Sequence, residues 1–499
     1  MLGLLSGSIG LLSLLLLACT QPQTTSHQMA QSTKSSQKTE TSKGLSDINA
    51  TAETRALYAH LQNIKHEHTL FGQQDALATV DNLLPEHRER YYPPTETLSM
   101  FLAQALNADR SCQYAVNHAL VQRVAHGLPA LSVSTGAYCR ARKRLPLDMV
   151  TQLVHVTGAL LEDRTPSEWR WKDKSVYLID GTSMTMPDTP ENQSRYPQQG
   201  GQKQGLGFPI CRLLGIVSLS SGAIMRASVG RFQGKGSDEQ SLLRGLLDQF
   251  TADDVIVGDA FFGTYFLLAA LQHKQVNAVF EQMGARKRVT DFRTGQRLGT
   301  KDHVITLAKP KKKPDWMTQE AYECAPETLK IREVKINGKI LITTFLSTQE
   351  TTRDELKTLY KKRWNIEVDF RNLKTTMGMD VLSCKTPDMI EKEIWIYFLA
   401  YNLIRLHMAQ AAFASNLLPR QISFKHVLQL WLACYRQNIE DDALDVIWVV
   451  MAQKKIGNRS GRIEPRAIKR RPKAYPLLMK PRALAREEVI KNGHPKKLK

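Results

Sequence analysis

The chain has 499 residues, 42% of them hydrophobic, and carries 68 Lys and Arg against 48 Asp and Glu, a formal net charge of +20. That much apolar material excludes a wholly disordered polypeptide and suffices for about three domains at roughly 150 residues each. Seven scattered cysteines with no CxxC pair exclude a disulfide framework and a cysteine-based zinc site, and fit a reducing cytoplasm.

In chain order, residues 1–57 stand apart. The stretch MLGLLSGSIGLLSLLLLACT resembles a bacterial lipoprotein signal with Cys19 as the lipidated residue, but lacks a positive start. A linker rich in Ser, Thr, Gln and Lys follows, of a composition that stays unfolded. Lipidation and export make little sense for so basic a chain. An extended or fused start is expected, with the working protein beginning near Met29 or later and no membrane association of the working part.

Residues 58–165 read as helical. TETLSMFLAQAL and SCQYAVNHALVQRVAHGL place apolar residues at helical spacing, and Gly127 and Pro129 end the second run. STGAYCRARKRLPLDMVTQLV then sets Arg140, Arg142, Lys143 and Arg144 within two turns before Pro146, a basic helix suited to a DNA backbone or groove. A solvated basic face is the plain alternative.

From residue 174 the period becomes that of strands. SVYLID is an apolar strand ending in Asp180, and CRLLGIVSLSSGAIMRASVG is a hairpin turned at Ser220-Ser221-Gly222. A helix (DEQSLLRGLLDQF), a strand delivering Asp259 (DVIVGDAFF), a helix (TYFLLAALQHK) and a strand (VNAVFEQ) follow. This pattern predicts a mixed sheet flanked by helices, with a ligand site at the carboxyl ends of its strands, where both Asp residues fall. Residues 285–350, with HVITLAK, LKIREVKI, KILITTFLS and the turn Asn337-Gly338, read as a β-rich insertion. EIWIYFLAYNLIRLHMAQAAFA reads as a buried helix, since Glu393, Arg405 and His407 interrupt it. From Lys454 to Lys499 there are 16 Lys and Arg against 3 Glu, in a Pro-containing run that reads as an arm for a polyanion, nucleic acid foremost.

In YKKRWNIEVDFRNLK, a helical projection places Tyr360, Arg363, Glu367 and Lys374 within about 60°, beside a stripe of Leu359, Ile366, Phe370 and Leu373. Asp369 points away. An ordinary Arg363–Glu367 ion pair on a solvated face is the plain reading. Taken with Asp180 and Asp259, the same residues suggest three carboxylates for two hard divalent cations, Mg²⁺ or Mn²⁺, acting on a phosphodiester. Arg363, Lys374 and Tyr360 then serve as phosphate contacts. Other motifs are decoys. GRFQGKGS (230–237) lacks phosphate-loop spacing, and His66-Glu67-His68 puts its two His residues on different helix faces. Asp188 and the pair Asp253-Asp254 are expected in loops and turns.

The spacing Tyr360-x2-Arg363-x3-Glu367-x6-Lys374 resembles the YREK signature of DDE transposases of the insertion-sequence-four family. LIDGTSMTMPDTPENQ and GDAFFGTYFLL around the two Asp residues are similar too, as are the helices of 97–150 and GRIEPRAIKRRPKAYPLLMKPR. The resemblance spans roughly residues 60–499. It implies a ribonuclease H-like fold of mixed sheet and flanking helices, an N-terminal helical DNA-binding region and a β-rich insertion before the Glu helix. It further implies a metal-binding triad of Asp180, Asp259 and Glu367, cleavage of double-stranded DNA at the element's ends, and transfer to target DNA, by a homodimer on DNA. Some relatives form a DNA hairpin with a flipped base on an aromatic of the insertion, a role for which Trp316 is the candidate and a core position its alternative. One departure is Ala260, where better-known relatives carry Arg after the second Asp. The expected division is 58–165 for DNA binding, 166–284 and 351–450 for the catalytic core, 285–350 for the insertion and 451–499 for the basic tail. A decayed element kept as a DNA-binding protein, a nuclease of the same fold without strand transfer, and a surface lipoprotein are the rival readings.

Overall fold

A computed structural model describes residues 92–125, 129–287, 289–437, 441–457 and 480–492. The lipoprotein-like start, the linker, the 58–91 stretch with its His pair, and most of the basic tail lie outside the described residues. Four helices come first: α1 Pro94–Leu106, α2 Cys112–Ala125, α3 Gly136–Arg144 and α4 Leu147–Asp163. The break between α3 and α4 is chemical: Leu145 precedes Pro146, cannot stay helical, and adopts φ −57°, ψ 121°.

The sheet begins with β1 Val176–Thr185, and α5 Pro190–Arg195 leads to the hairpin β2 Ile210–Ser218 and β3 Ile224–Arg231. Then come α6 Glu239–Arg244, β4 Val255–Val257, α7 Tyr265–His273, β5 Asn277–Glu281 and the turn of helix α8 Gly284–Lys287. Residues of the expected insertion form β6 Gln296–Gly299, β7 Asp302–Ala308, α9 Gln319–Cys324, β8 Thr328–Ile336 and β9 Lys339–Thr343. All nine strands join one sheet, ordered β3-β2-β1-β4-β5-β9-β8-β7-β6. The pairs β1–β4 and β4–β5 are parallel, and every other pair is antiparallel. Strands β6 to β9 therefore continue the central sheet through β5.

The central strands are buried on both faces, which is why they read as unbroken apolar runs. Val176, Leu178, Val255 and Val257 face one core, while Ile179 and Ile256 face the other with Leu267 and Leu271 of α7. The first core is built on α12 Pro387–Ala414, preceded by α10 Arg353–Lys361 and α11 Asn365–Arg371 and followed by α13 Phe424–Gln437, α14 Asp441–Gln453 and the terminal α15 Arg482–Asn492. Among the described residues no helix is long and apolar enough to cross a membrane. Helix α12 is buried by protein instead, and Glu393, Asn402 and Arg405 on it find internal hydrogen-bond partners.

Asn402 of α12 is the clearest case. Its amide nitrogen donates to Val154 O of α4 (3.1 Å), Thr157 Oγ1 (3.3 Å) and Ile224 O of β3 (2.9 Å), and its oxygen accepts from Ile224 N (2.8 Å). Gly158 lets α4 come this close, since a Cβ there would lie 2.7 Å from Ile224 O. Asn402→Leu leaves the Ile224 amide and carbonyl buried without partners. A loss of about 2–4 kcal/mol is expected in denaturant unfolding.

Candidate active site

The sheet register brings the two Asp residues together. The last parallel pairs are Leu178 with Val257 and Val257 with Val279. Two residues beyond them, on three adjacent strands, stand Asp180, Asp259 and Glu281. The sequence reading ends β1 at Asp180, but the strand runs on to Thr185, paired there with β2 and, at Thr185, bridged to Val381, while β4 stops at Val257. Asp259 caps the turn that follows β4, accepting from Phe261 N at 2.8 Å, and Asp180 accepts from Gly181 N at 2.9 Å.

Segment 353–376 crosses this carboxyl edge. It is not one straight helix, as the projection assumes: a 3-10 turn at Lys362–Trp364 separates α10 from α11, and a π turn at Asn372–Thr376 follows. The four signature residues nevertheless meet the same edge. Arg363 Nη2 donates to Glu367 Oε1 at 2.9 Å, the expected ion pair, while its Nη1 lies 3.7 Å from Asp180 Oδ2. Tyr360 Oη donates to Glu281 Oε2 at 3.3 Å, and Lys374 Nζ donates to Ser183 O at 2.9 Å and Thr182 Oγ1 at 3.2 Å. Phe370 seats this segment on the sheet at Gly215, the β2 partner of Asp180, where a Cβ would come within 3.0 Å of its ring.

Asp369 points away from this edge, as the projection has it, but into the interior. It is 1% exposed and bonded to Arg405 and Arg420; Arg420 Nη2 reaches its Oδ2 at 3.0 Å.

Burial pushes Asp180 from the usual 3.8 to about 6; the Gly181 amide and Arg363 oppose this, and the charges of Asp259 and Glu239 add to it. Glu239, at the start of α6, was passed over in the sequence, where it is one acid in DEQSLLR. Glu281 ends the apolar strand β5, the same signal that marks Asp180 and Asp259 in the sequence. Among the described residues no three acidic, His or Cys side chains stand close enough to hold a metal ion as they are placed, and Arg363 lies between two of the three expected ligands.

Of the basic residues on α3, Arg140, Lys143 and Arg144 are exposed. Arg142 is turned inward, 8% exposed, with its guanidinium over Phe101 (4.7 Å) and Tyr138 (5.2 Å) and Nη2 3.1 Å from Cys112 Sγ. It belongs to the helical core rather than to a DNA-facing surface. Trp316 is 48% exposed, with the Arg244 guanidinium 3.8 Å from its ring centre and Phe266 edge-on. Asp188 pairs with Arg482 of α15 at 2.7 Å, Asp253 sits in a turn at φ 71° and Asp254 accepts from Thr251 N, so the competing carboxylates have the loop roles expected.

Residues 171–403 match the family model described as the transposase DDE domain, a span that contains Asp180, Asp259 and the whole signature segment. The chain is also 26% identical over 385 residues to the transposase InsG for insertion sequence element IS4 of Escherichia coli K12, covering 73% of this chain and 83% of that one. Across its sheet and signature segment the chain is similar to DDE transposases. Among solved structures, a piggyBac transposase synaptic complex with hairpin DNA aligns over 78% of this chain and 82% of its own, with a TM-score of 0.37 and 9% identity. A transposase DDE domain depends on divalent metal.

Two outcomes are expected. Asp369→Ala strands two buried guanidiniums and costs about 3–5 kcal/mol in denaturant unfolding. Asp180→Asn acts in the opposite direction. An unfolded carboxyl ionises near 3.8 and the folded one near 6, so the folded state binds the proton more tightly and loses stability as pH rises through that window. At pH 8 in chelator, thermal unfolding of the Asn variant is expected to show a gain on the order of 2 kcal/mol.

Proposed function

We propose that Asp180, Asp259 and Glu367 form the metal-binding triad of a transposase that cleaves double-stranded DNA at the ends of its element and joins the freed 3′ ends to target DNA. The observation that carries this reading is the position of Arg363, a cation held between Asp180 and Glu367 with Asp259 in register beside Asp180. A guanidinium in that place stands in for the charge the carboxylates are built to hold. The donors are all hard oxygens, which suits two Mg²⁺ or Mn²⁺ ions. Bound there, the ions supply an acidified water and a clamp for attacking and leaving oxygens.

The chain's own residues do the rest. Arg363 offers a phosphate its planar fork, Lys374 a point charge and Tyr360 a phenolic donor, spaced along one edge from β1 to β5. Arg140, Lys143 and Arg144 on α3 neutralise backbone phosphates further along the DNA, as does the basic tail of 451–499. Trp316, with one ring face covered by Arg244, keeps the other for a flipped base. The order β3-β2-β1-β4-β5 with its parallel centre supports a ribonuclease H-like core made of 166–284 and 351–450, interrupted by 285–350. Two element ends handled together call for two copies of the chain on DNA, working in the cytoplasm.

Incubated with a DNA fragment spanning the element's boundary, the wild type is expected to nick at that boundary in Mg²⁺ and not in chelator. Glu367→Gln is expected to bind the same DNA while losing about a thousandfold or more in cleavage. Equal cleavage by both proteins, or binding with no cleavage by either, overturns the reading.

A further inference from the structure

The acid nearest the two strand carboxylates in electrostatic terms is one outside the signature. Glu239 opens α6, whose cap is Asp238, with Oδ1 accepting from Ser241 N at 3.0 Å. Its side chain turns back over β1. A Cβ built on Gly181 would lie 2.1 Å from Glu239 Cδ and 2.2 Å from its Oε1. The carboxyl group therefore fills the space that any side chain at 181 would claim, on the residue next to Asp180. A glycine inside a strand weakens it; here the vacancy is what admits the carboxylate.

Arg212 fixes Glu239 from the other side. It stands on β2 opposite Ser183, donates from Nη1 to Glu239 Oε1 at 3.1 Å and from Nη2 to Phe232 O at 3.2 Å, and covers the Phe232 ring at 5.0 Å. The pair is largely buried, with side chains 22% and 20% exposed. Its Nε is buried without a hydrogen-bond partner among the described residues. The charges of Glu239 and Asp180, and of Asp259 and Glu239, disfavour one another. Like charges set within electrostatic reach of one another in a partly buried place are a cost to folding that a shared cation would relieve.

We propose that Glu239 is a fourth carboxylate of the metal site, admitted by Gly181 and held against Asp180 by Arg212. This rests on the metal-site reading of Asp180, Asp259 and Glu367, and extends it. Glu239 is then a hard oxygen donor to the same divalent cation, or to its bound water, from a helix that the signature does not include.

The test is Mn²⁺ binding to the full-length, metal-free protein, followed by the paramagnetic resonance of free Mn²⁺, with no DNA and no turnover. Glu239→Gln is expected to weaken Mn²⁺ binding by about tenfold or more, as loss of a ligand or of its supporting shell does. Gly181→Ala, which alters no charge, is expected to weaken it in the same direction by displacing the carboxylate. Affinities within twofold of wild type in both variants overturn the proposal. A purely structural role, in which Glu239 only neutralises Arg212, predicts that Arg212→Met with Glu239→Gln restores wild-type affinity; that restoration also overturns it, whereas a persistent loss supports it. Asp180→Asn separates the two levels. If Asp180→Asn loses Mn²⁺ and Glu239→Gln does not, only Glu239 falls; if Asp180→Asn binds as tightly as wild type, the metal-site reading falls and Glu239 with it.

Discussion

Asp369 carries two guanidiniums, Arg405 from α12 and Arg420 from the turn before α13, and this triad ties the signature segment to α12 and to the sheet. Arg405 also donates to the hydroxyl of Tyr401 (Nε at 2.8 Å), and Arg420 Nη2 donates to Ser218 O at 2.8 Å, at the end of β2. Ser218 pairs with Tyr177 on β1, three residues before Asp180. A continuous path thus runs from Glu367, two residues upstream of Asp369, through Arg420 to the strand that carries Asp180. Phe370 against Gly215 makes a second, apolar tie at the register of Asp180 itself. Charges buried this deeply are a poor source of net stability but a strict source of geometry, because removing either partner leaves an uncompensated ion. That is the property a segment laid across the carboxyl edge of the sheet needs to keep its register.

The edge itself is held against electrostatic preference. Each acid there has been given local relief: Asp180 and Glu367 share Arg363, Glu281 has Lys339 at 2.6 Å, Glu239 has Arg212, and Asp259 has the amide of Phe261. Relief is incomplete, since Asp180 still favours its proton up to about 6. Groups that gather like charges in a partly buried place give up stability, which makes them candidates for function. The fully buried Arg332–Asp302 pair, two-pronged with Nε–Oδ1 at 2.7 Å, is a one-to-one match instead.

How much of this was legible depended on whether the determinant was local. Period-two and apolar runs fixed the strands from 176 to 281 well, because buried parallel strands write themselves as Val, Ile and Leu without interruption. The spacing of Tyr360, Arg363, Glu367 and Lys374 predicted a shared face even though Arg363 falls in the 3-10 turn at 362–364 and Lys374 in the π turn at 372–376, since the segment stays helical in its general course through both. What the sequence hid were groups whose roles come from distant partners. Arg142 reads as one of four basic residues in a row and is buried because Phe101 and Tyr138 lie under it. Asp369 reads only as an acid pointing away from the signature face and is buried because Arg405 and Arg420 arrive 36 and 51 residues later. Glu239 becomes visible only when Gly181, 58 positions earlier, is seen to have no room for a side chain.

The strands between β5 and α10 read as an insertion, yet their attachment makes them part of the same mechanical unit. β9 pairs with β5 at Val279, Phe280 and Glu281, so the insertion begins at the strand that ends beside Asp259. Arg332 of β8 then reaches past its partner Asp302 to donate to Ser347 O (3.3 Å) and Thr351 O (2.6 Å). Thr352, the next residue, caps α10 in a reciprocal arrangement with Glu355. One fully buried guanidinium therefore sets where the Glu367-bearing segment starts, while Asp369 sets where it is held. A swing of β6 to β9 away from the sheet would unpair Arg332 and loosen that start, at a cost that buried ions make prohibitive. Trp316, on the connection between β7 and β8, is tied by the Arg244 guanidinium to α6 and so to the central sheet.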